Sequence, residues 1–143
     1  MSNLAEVALE GLSIHLLHRA VKRADEIFAG NVAETNLTPR QYAVLVGIAK
    51  YGDLSQSALS EMTGSDRTTL GEVVRRLLKK GLLQRRRRIE DTRTYVMRLT
   101  EAGREVLKSA EPNVLRAEAA FLARLGGKRG RAFVEALKVV SRS

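Results

Sequence analysis

The apolar residues Leu70, Val73, Val74, Leu77 and Leu78 fall at i, i+3, i+4, i+7 and i+8, a spacing that draws one stripe along an α-helix. Ser65 or Asp66 is placed to cap its start, and Gly81 suits the left-handed position just past its end. The opposite face carries Arg67, Thr68, Thr69, Glu72, Arg75 and Lys79. A helix that is half core and half long basic or short hydroxyl side chains has the size and chemistry for a DNA major groove. The same pattern also describes an ordinary amphipathic helix with a solvated basic face. The neighbouring segments decide between the two.

Thr38-Pro39-Arg40-Gln41 reads as a helix start, with Thr38 as N-cap, Pro39 at the tolerated first position and Gln41 completing a capping box. Tyr42, Leu45, Val46, Ile48 and Ala49 follow, and Tyr51-Gly52-Asp53 ends the helix. Ser55 then caps a short helix bearing Ala58, Leu59 and Met62, and Thr63-Gly64 turns into the helix at 65–81. Short helix, glycine-containing turn and second helix make a helix-turn-helix, with the second helix as reader. After Gly81 the period changes. Leu82–Ile89 and Thr94–Leu99 are short β-prone runs around Glu90-Asp91-Thr92-Arg93, which predicts a β-hairpin with a basic tip and basic strands. Four successive arginines, Arg85 to Arg88, put charge on both faces of the first strand, so neither face is expected to be deeply buried. A two-stranded ribbon beside a helix-turn-helix is a wing, able to lie along phosphates and place an arginine in the minor groove.

The charge supports a polyanionic partner. The 143 residues carry a net +9, and residues 66–98, with 11 basic and 4 acidic side chains, hold +7 of it. Charge confined to a third of the chain reads as a binding surface. With 44% hydrophobic residues the chain supports one domain with a real core. The absence of cysteine excludes disulfides, thiol redox sensing and cysteine metal sites. Glu6 and Glu10 with no basic start do not read as a signal peptide, and no apolar run approaches the ~20 residues of a membrane span. A soluble, cytoplasmic protein without membrane contact is expected.

At the ends, residues from about Asn3 to Gly30 read as one long helix with an apolar set wide enough to meet both its own domain and a second chain. A break runs from Gly30 to about Leu37. Thr100-Glu101 starts another long helix, which Pro112 should kink and Gly126-Gly127 should end, before a final helix marked by Phe133, Val134, Leu137 and Val140. The fold class expected is mainly α with a small β-hairpin wing: a winged helix-turn-helix lobe over 37–100, with 1–36 and 101–143 forming a dimerisation region, all within a single domain.

The order of elements and several phrases resemble the MarR family of winged helix-turn-helix regulators. Leu37-Thr-Pro-Arg-Gln41 is similar to the family's Leu-Thr-x-x-Gln at its second helix. Gly81-Leu-Leu-Gln-Arg85, Asp91-Thr-Arg93, Leu99-Thr100 and Gly103 are similar to its Gly-Leu-Val-x-Arg, Asp-x-Arg, Leu-Thr and Gly signature, without a gap. The resemblance implies a homodimer held by the first helix and the last two, paired recognition helices on a palindromic double-stranded DNA operator, and an effector pocket between the dimerisation and DNA-binding parts. By position it makes Arg93 the wing-tip arginine in the minor groove, with Asp91 fixing its orientation. Two departures stand at the tip: Ile89 where proline is frequent, and Arg88 where an acidic residue is frequent.

The candidate DNA contacts are therefore Arg67, Thr68, Thr69, Glu72 and Arg75 on the helix, the first three nearest the N-terminus that reaches base edges, and Arg86, Arg88, Asp91 and Arg93 on the wing. Arg76 lies nearer the apolar stripe, where it either pairs internally or joins the basic face. The candidate effector contacts are His15, His18, Arg19 and Tyr42, with Lys22 and Arg116 weaker, and a basic or histidine lining suits an aromatic carboxylate or an acyl-thioester. His15 and His18, three apart, also have the spacing for a shared metal, yet no cysteine joins them; no metal or other cofactor is expected, and both histidines also suit structural roles. No nucleophile elbow or phosphate-binding glycine loop points to an enzyme. The reading is a DNA-binding transcription regulator, most simply an effector-released repressor. The rival is a nucleic-acid-coating protein in which the +9 acts without sequence preference.

Overall fold

The computed structural model describes residues 8–91 and 93–142. Leu9–Gly11 form a 3-10 turn, and eight regular elements follow: α1 (Ser13–Asn31), α2 (Pro39–Tyr51), α3 (Gln56–Thr63), α4 (Arg67–Lys79), β1 (Leu83–Arg87), β2 (Tyr95–Leu99), α5 (Glu101–Leu122) and α6 (Gly126–Val140). The winged helix-turn-helix architecture is therefore present, in the expected order.

The first helix departs from expectation at its start. It begins at Ser13 rather than near Asn3, because Ala8 and Leu12 are extended and bracket the 3-10 turn, with Leu12 N–H donating to Leu9 O at 3.1 Å. The expected helix before Ala8 lies outside the described residues, as does Thr92 of the hairpin tip.

Intramolecular contacts divide the chain into two compact units, Val32–Asn113 and Met1–Asn31 with Val114–Ser143; the division falls within α5. That helix runs without interruption through Pro112.

The Val32–Asn113 unit holds the closed core. Val44, Leu45, Leu59, Val74, Leu77 and Met97 are at most 1% exposed, and Leu70 is nearly so. Local sequence explains how these elements start. Thr38 Oγ1 accepts the Gln41 N–H and Gln41 Oε1 accepts the Thr38 N–H, both at 3.1 Å, with Pro39 at the first helical position. The Gln41 side chain is thereby satisfied although the residue is buried. Ser55 caps α3 through the Ala58 N–H at 3.1 Å. Thr38→Ala is expected to lower stability by about 1–2 kcal/mol, measured as a shift in urea midpoint; an unchanged midpoint would show that the box contributes nothing.

The strands pair antiparallel from Leu83↔Leu99 to Arg87↔Tyr95. The arginine run is exposed, as expected. The first strand is buried only at its inner end, at Leu83, whereas Val96, Met97 and Leu99 are all buried on β2. A third segment joins the hairpin at its inner end: Leu54, between α2 and α3, forms a β-bridge with Met97, and α2 packs against β2.

In the other unit, only Ala117 and Gly130 are buried among the described residues. Phe121 and Phe133 pack with ring centroids 6.3 Å apart, and Arg23 lies over Phe121 while donating to its carbonyl at 3.2 Å. Leu9, Ile14, Val21, Leu115, Val139 and Val140 are each more than half exposed.

Candidate nucleic-acid interface

Helix α4 is set by its own sequence. Asp66 Oδ1 accepts the Thr69 N–H at 2.7 Å and Asp66 Oδ2 accepts the Thr69 hydroxyl at 3.0 Å. These bonds stabilise the carboxylate form, so the Asp66 carboxyl lies below its ordinary range, the backbone bond from Thr69 being the largest cause. Gly64, at φ 68°, makes the left-handed turn between α3 and α4. With Leu70, Val74 and Leu77 buried, the helix is held by one stripe and its other side is turned outward.

On that outward side Arg67 and Thr68 are exposed in the first turn. Thr69 is half-buried, and its hydroxyl is engaged by the cap. Glu72 and Arg75 are brought together: Arg75 Nη2 lies 2.7 Å from Glu72 Oε1, and Arg76 Nε lies 2.9 Å from the same oxygen. Arg76 thus pairs internally, by way of Glu72 and on the exposed surface. One carboxylate shared by two guanidiniums keeps the Glu72 carboxyl below its usual range, chiefly through the Arg75 hydrogen bonds. Beside Glu72, a Cβ on Gly71 would meet only Gln56 Nε2 at 3.7 Å.

At the hairpin tip, Asp91 Oδ1 accepts the Arg93 N–H at 3.0 Å and Asp91 Oδ2 accepts the Thr94 hydroxyl at 3.2 Å. Asp91 therefore fixes the backbone at Arg93. Arg86, Arg88 and Arg93 are exposed, and Ile89 at the tip is 98% exposed.

Two features of the interface were not foreseen. Arg98 donates to Asp53 through Nε at 3.0 Å and Nη2 at 2.7 Å, a bidentate pair that ties β2 to the α2–α3 connection. At the same, inner end of the wing, Thr100 Oγ1 donates to Gly81 O at 2.6 Å and accepts the Gly103 N–H at 3.0 Å, so one hydroxyl joins the end of the α4 turn to the start of α5. Only the threonine and glycine letters of the signature hinted at the second. Nothing in the sequence marked the first.

The candidate effector residues are divided. His15, half-buried, and His18 and Arg19, exposed, lie together on α1, whereas Tyr42 is half-buried on α2 in the other unit. Burial and then the Glu111 charge raise the Tyr42 hydroxyl above its ordinary value. Among the described residues no group of three or more histidine or carboxylate side chains could hold a metal. No described helix is long and apolar enough to cross a membrane.

With this geometry established, the chain was compared with known proteins. The MarR family profile matches residues 37–95. A proposed transcriptional regulatory protein for the hcr operon of Thauera aromatica is 35% identical over 87% of this chain and 77% of its own length. BpsR of Bordetella bronchiseptica, whose DNA binding is regulated by 6-hydroxynicotinic acid, superposes with a TM-score of 0.90 at 26% identity, covering 96% of this chain and 98% of that one. The repressor CouR bound to a 23-mer DNA duplex superposes with a TM-score of 0.84 at 30% identity, over 99% and 100% of the two chains. Its complex with p-coumaroyl-CoA gives 0.87 at 27% identity, over 99% of each.

Proposed function

The chain belongs to the MarR family of transcriptional regulators, and we propose that it acts as a homodimeric, sequence-specific DNA-binding repressor released by a small anionic effector. Members of the family regulate transcription rather than catalyse reactions. The observation that carries the proposal is the Val32–Asn113 unit, which combines the outward basic side of α4 with an arginine-rich hairpin. Arg67, Thr68, Thr69, Glu72 and Arg75 enter the major groove in this reading, and Arg86, Arg88 and Arg93 engage the backbone and minor groove, with Asp91 holding Arg93 in place. CouR's complex with duplex DNA supports this use of the fold.

The apolar residues left exposed on α1, α5 and α6 support a second copy as their cover. In the dimer, paired α4 helices read a palindrome in successive major grooves, about 34 Å apart. Effector contacts are proposed at His15, His18 and Arg19 on α1 and, separately, at Tyr42 on α2; binding shifts the population toward a state of the dimer that no longer fits the operator, by its differential affinity for the two states. The 6-hydroxynicotinic acid of BpsR and the p-coumaroyl-CoA of CouR support an aromatic acid or acyl-thioester as its class.

Fluorescence anisotropy with the DNA upstream of the chain's own gene, a scrambled duplex and a panel of both compound classes tests the proposal near physiological salt. Tight binding to the native duplex alone, released by one compound, is expected. Equal binding to both duplexes would favour a non-specific coating role instead. Arg93→Ala should weaken operator binding by roughly 1–3 kcal/mol; unchanged affinity at moderate salt would remove Arg93 from the interface.

A further inference from the structure

The hairpin register divides the four consecutive arginines into two pairs. Residues directly opposite in an antiparallel ladder share a face, and neighbours along a strand alternate between faces. Arg85, opposite Met97, and Arg87, opposite Tyr95, therefore stand on one face, and Arg86, opposite Val96, stands on the other. Arg88 continues the alternation, its N–H donating to Thr94 O at 2.8 Å. The inner end of each face is closed by the protein itself. Leu83, Met97 and Leu99 are buried on the first face; on the second, Val96 is buried and Arg98 is held by Asp53. The outer ends are exposed, and each carries two arginines.

The first face is also organised. Arg85 Cζ lies 5.5 Å and Arg87 Cζ 5.3 Å from the centroid of the Tyr95 ring. Two like charges two residues apart on one strand face repel, and the electron-rich ring that both approach offsets that repulsion. The pair is thereby presented as a set rather than as two independently swinging side chains.

We propose that the wing engages duplex DNA with both faces, Arg86 and Arg88 toward the phosphate chain on one side of a minor groove and the Arg85–Tyr95–Arg87 cluster toward the chain on the other. The minor groove is bounded by a phosphate chain on each side, so a ribbon directed tip-first into it has one chain along each face. A ribbon lying flat on the backbone would use one face and leave the ordered Arg85 and Arg87 pair in solvent. Guanidinium matches phosphate geometry in two-pronged fashion, which suits arginine rather than lysine at all four positions. Tyr95 is a positioning residue here, acting through the two arginines. This inference rests on the DNA-binding reading above.

The test is operator binding across a salt series for the full-length protein, for R85Q/R87Q and for R86Q/R88Q. Each double variant removes two phosphate contacts per protomer and so four per bound dimer, and the slope of log affinity against log salt should fall by about 3.6 in both. The affinity lost between 50 and 200 mM salt then shrinks by about a hundredfold in each. Because the four side chains are exposed, urea midpoints should match the unsubstituted protein. Tyr95→Leu keeps all four charges and should weaken binding several-fold with the salt slope unchanged; unaltered affinity would remove its positioning role. If R85Q/R87Q binds as the unsubstituted protein does while R86Q/R88Q loses slope and affinity, the two-faced contact is overturned and the DNA-binding reading stands. If the unsubstituted protein binds no DNA, that reading falls and takes this inference with it.

Discussion

Leu77→Ala lowers the free energy of unfolding by about 3 kcal/mol, the middle of the range for emptying a fully buried leucine site. Leu77 is 0% exposed and sits in the last turn of α4, among a core that includes Leu45, Leu59, Leu70 and Val74. The lost methyl groups forfeit their transfer energy, and the cavity adds to it because helices pinned by caps collapse poorly around a void. Against a typical total of 5–15 kcal/mol, the change should bring the thermal midpoint down by roughly 10 °C. Chemical denaturation of the two proteins measures it, and a loss under 1 kcal/mol would mean that the site relaxes or is not closed. Operator affinity at low temperature, where both proteins are folded, should change much less, since Leu77 lies on the side of α4 opposite its basic residues.

Gly103→Ala is the second large effect, and its cause is backbone rather than side chain. A Cβ on Gly103 would overlap the Leu82 carbonyl oxygen and press on Leu99 Cδ2 at 3.3 Å. That oxygen is also the acceptor for the Thr100 N–H at 3.1 Å. Neither a strand start nor a capped helix start yields easily, so the substitution should cost about 2–3 kcal/mol and displace the base of the wing. Urea denaturation gives the first quantity, and operator affinity under conditions where the variant is folded gives the second. Gly47→Ala is the contrasting control: its Cβ meets only the thioether end of Met62, a flexible group that moves aside. Equal losses at the two glycines would contradict the distinction.

These two glycines show what could be read from the chain in advance. Gly103 was legible as a letter of a family signature, but its physical reason, a carbonyl packed against its α-carbon, involves a residue the sequence does not point to. Features written in short-range chemistry were readable: the Thr38 and Gln41 box, the Ser55 and Asp66 caps, the left-handed glycines at 64 and 81, and the change of period after Gly81. The apolar stripe of α4 gave its buried face directly. What depended on distant partners was not readable. Asp53 and Arg98 are 45 residues apart, and neither position suggests the other. The bridge between Leu54 and Met97 likewise joins positions far apart in the chain. The start of α1 was misjudged because apolar spacing continues through Leu9 and Leu12, where the backbone is not α-helical. Within the interface, the sequence singled out the exposed basic residues of α4 and the wing. It did not show that Glu72 gathers both Arg75 and Arg76, since an acidic residue three or four positions away is compatible with many rotamers. The residues proposed for effector contact were the least legible, because three lie on α1 and Tyr42 lies in the other unit.

The bridge between Leu54 and Met97 has a consequence for hydrogen exchange. Met97 N–H donates to Leu54 O at 2.7 Å and Leu54 N–H returns to Met97 O at 3.2 Å, so the inner half of the hairpin is stitched into the same cooperative unit as the α2–α3 connection. Deuterium should enter these two amides only through opening of the whole unit, with protection close to the global unfolding free energy. The Arg88 amide, bonded to Thr94 O at the exposed end of the ladder, should exchange by fraying, orders of magnitude faster. The wing is thus a lever with a fixed root, in which fraying at the outer end of the ladder is thermodynamically uncoupled from the fold that aims it.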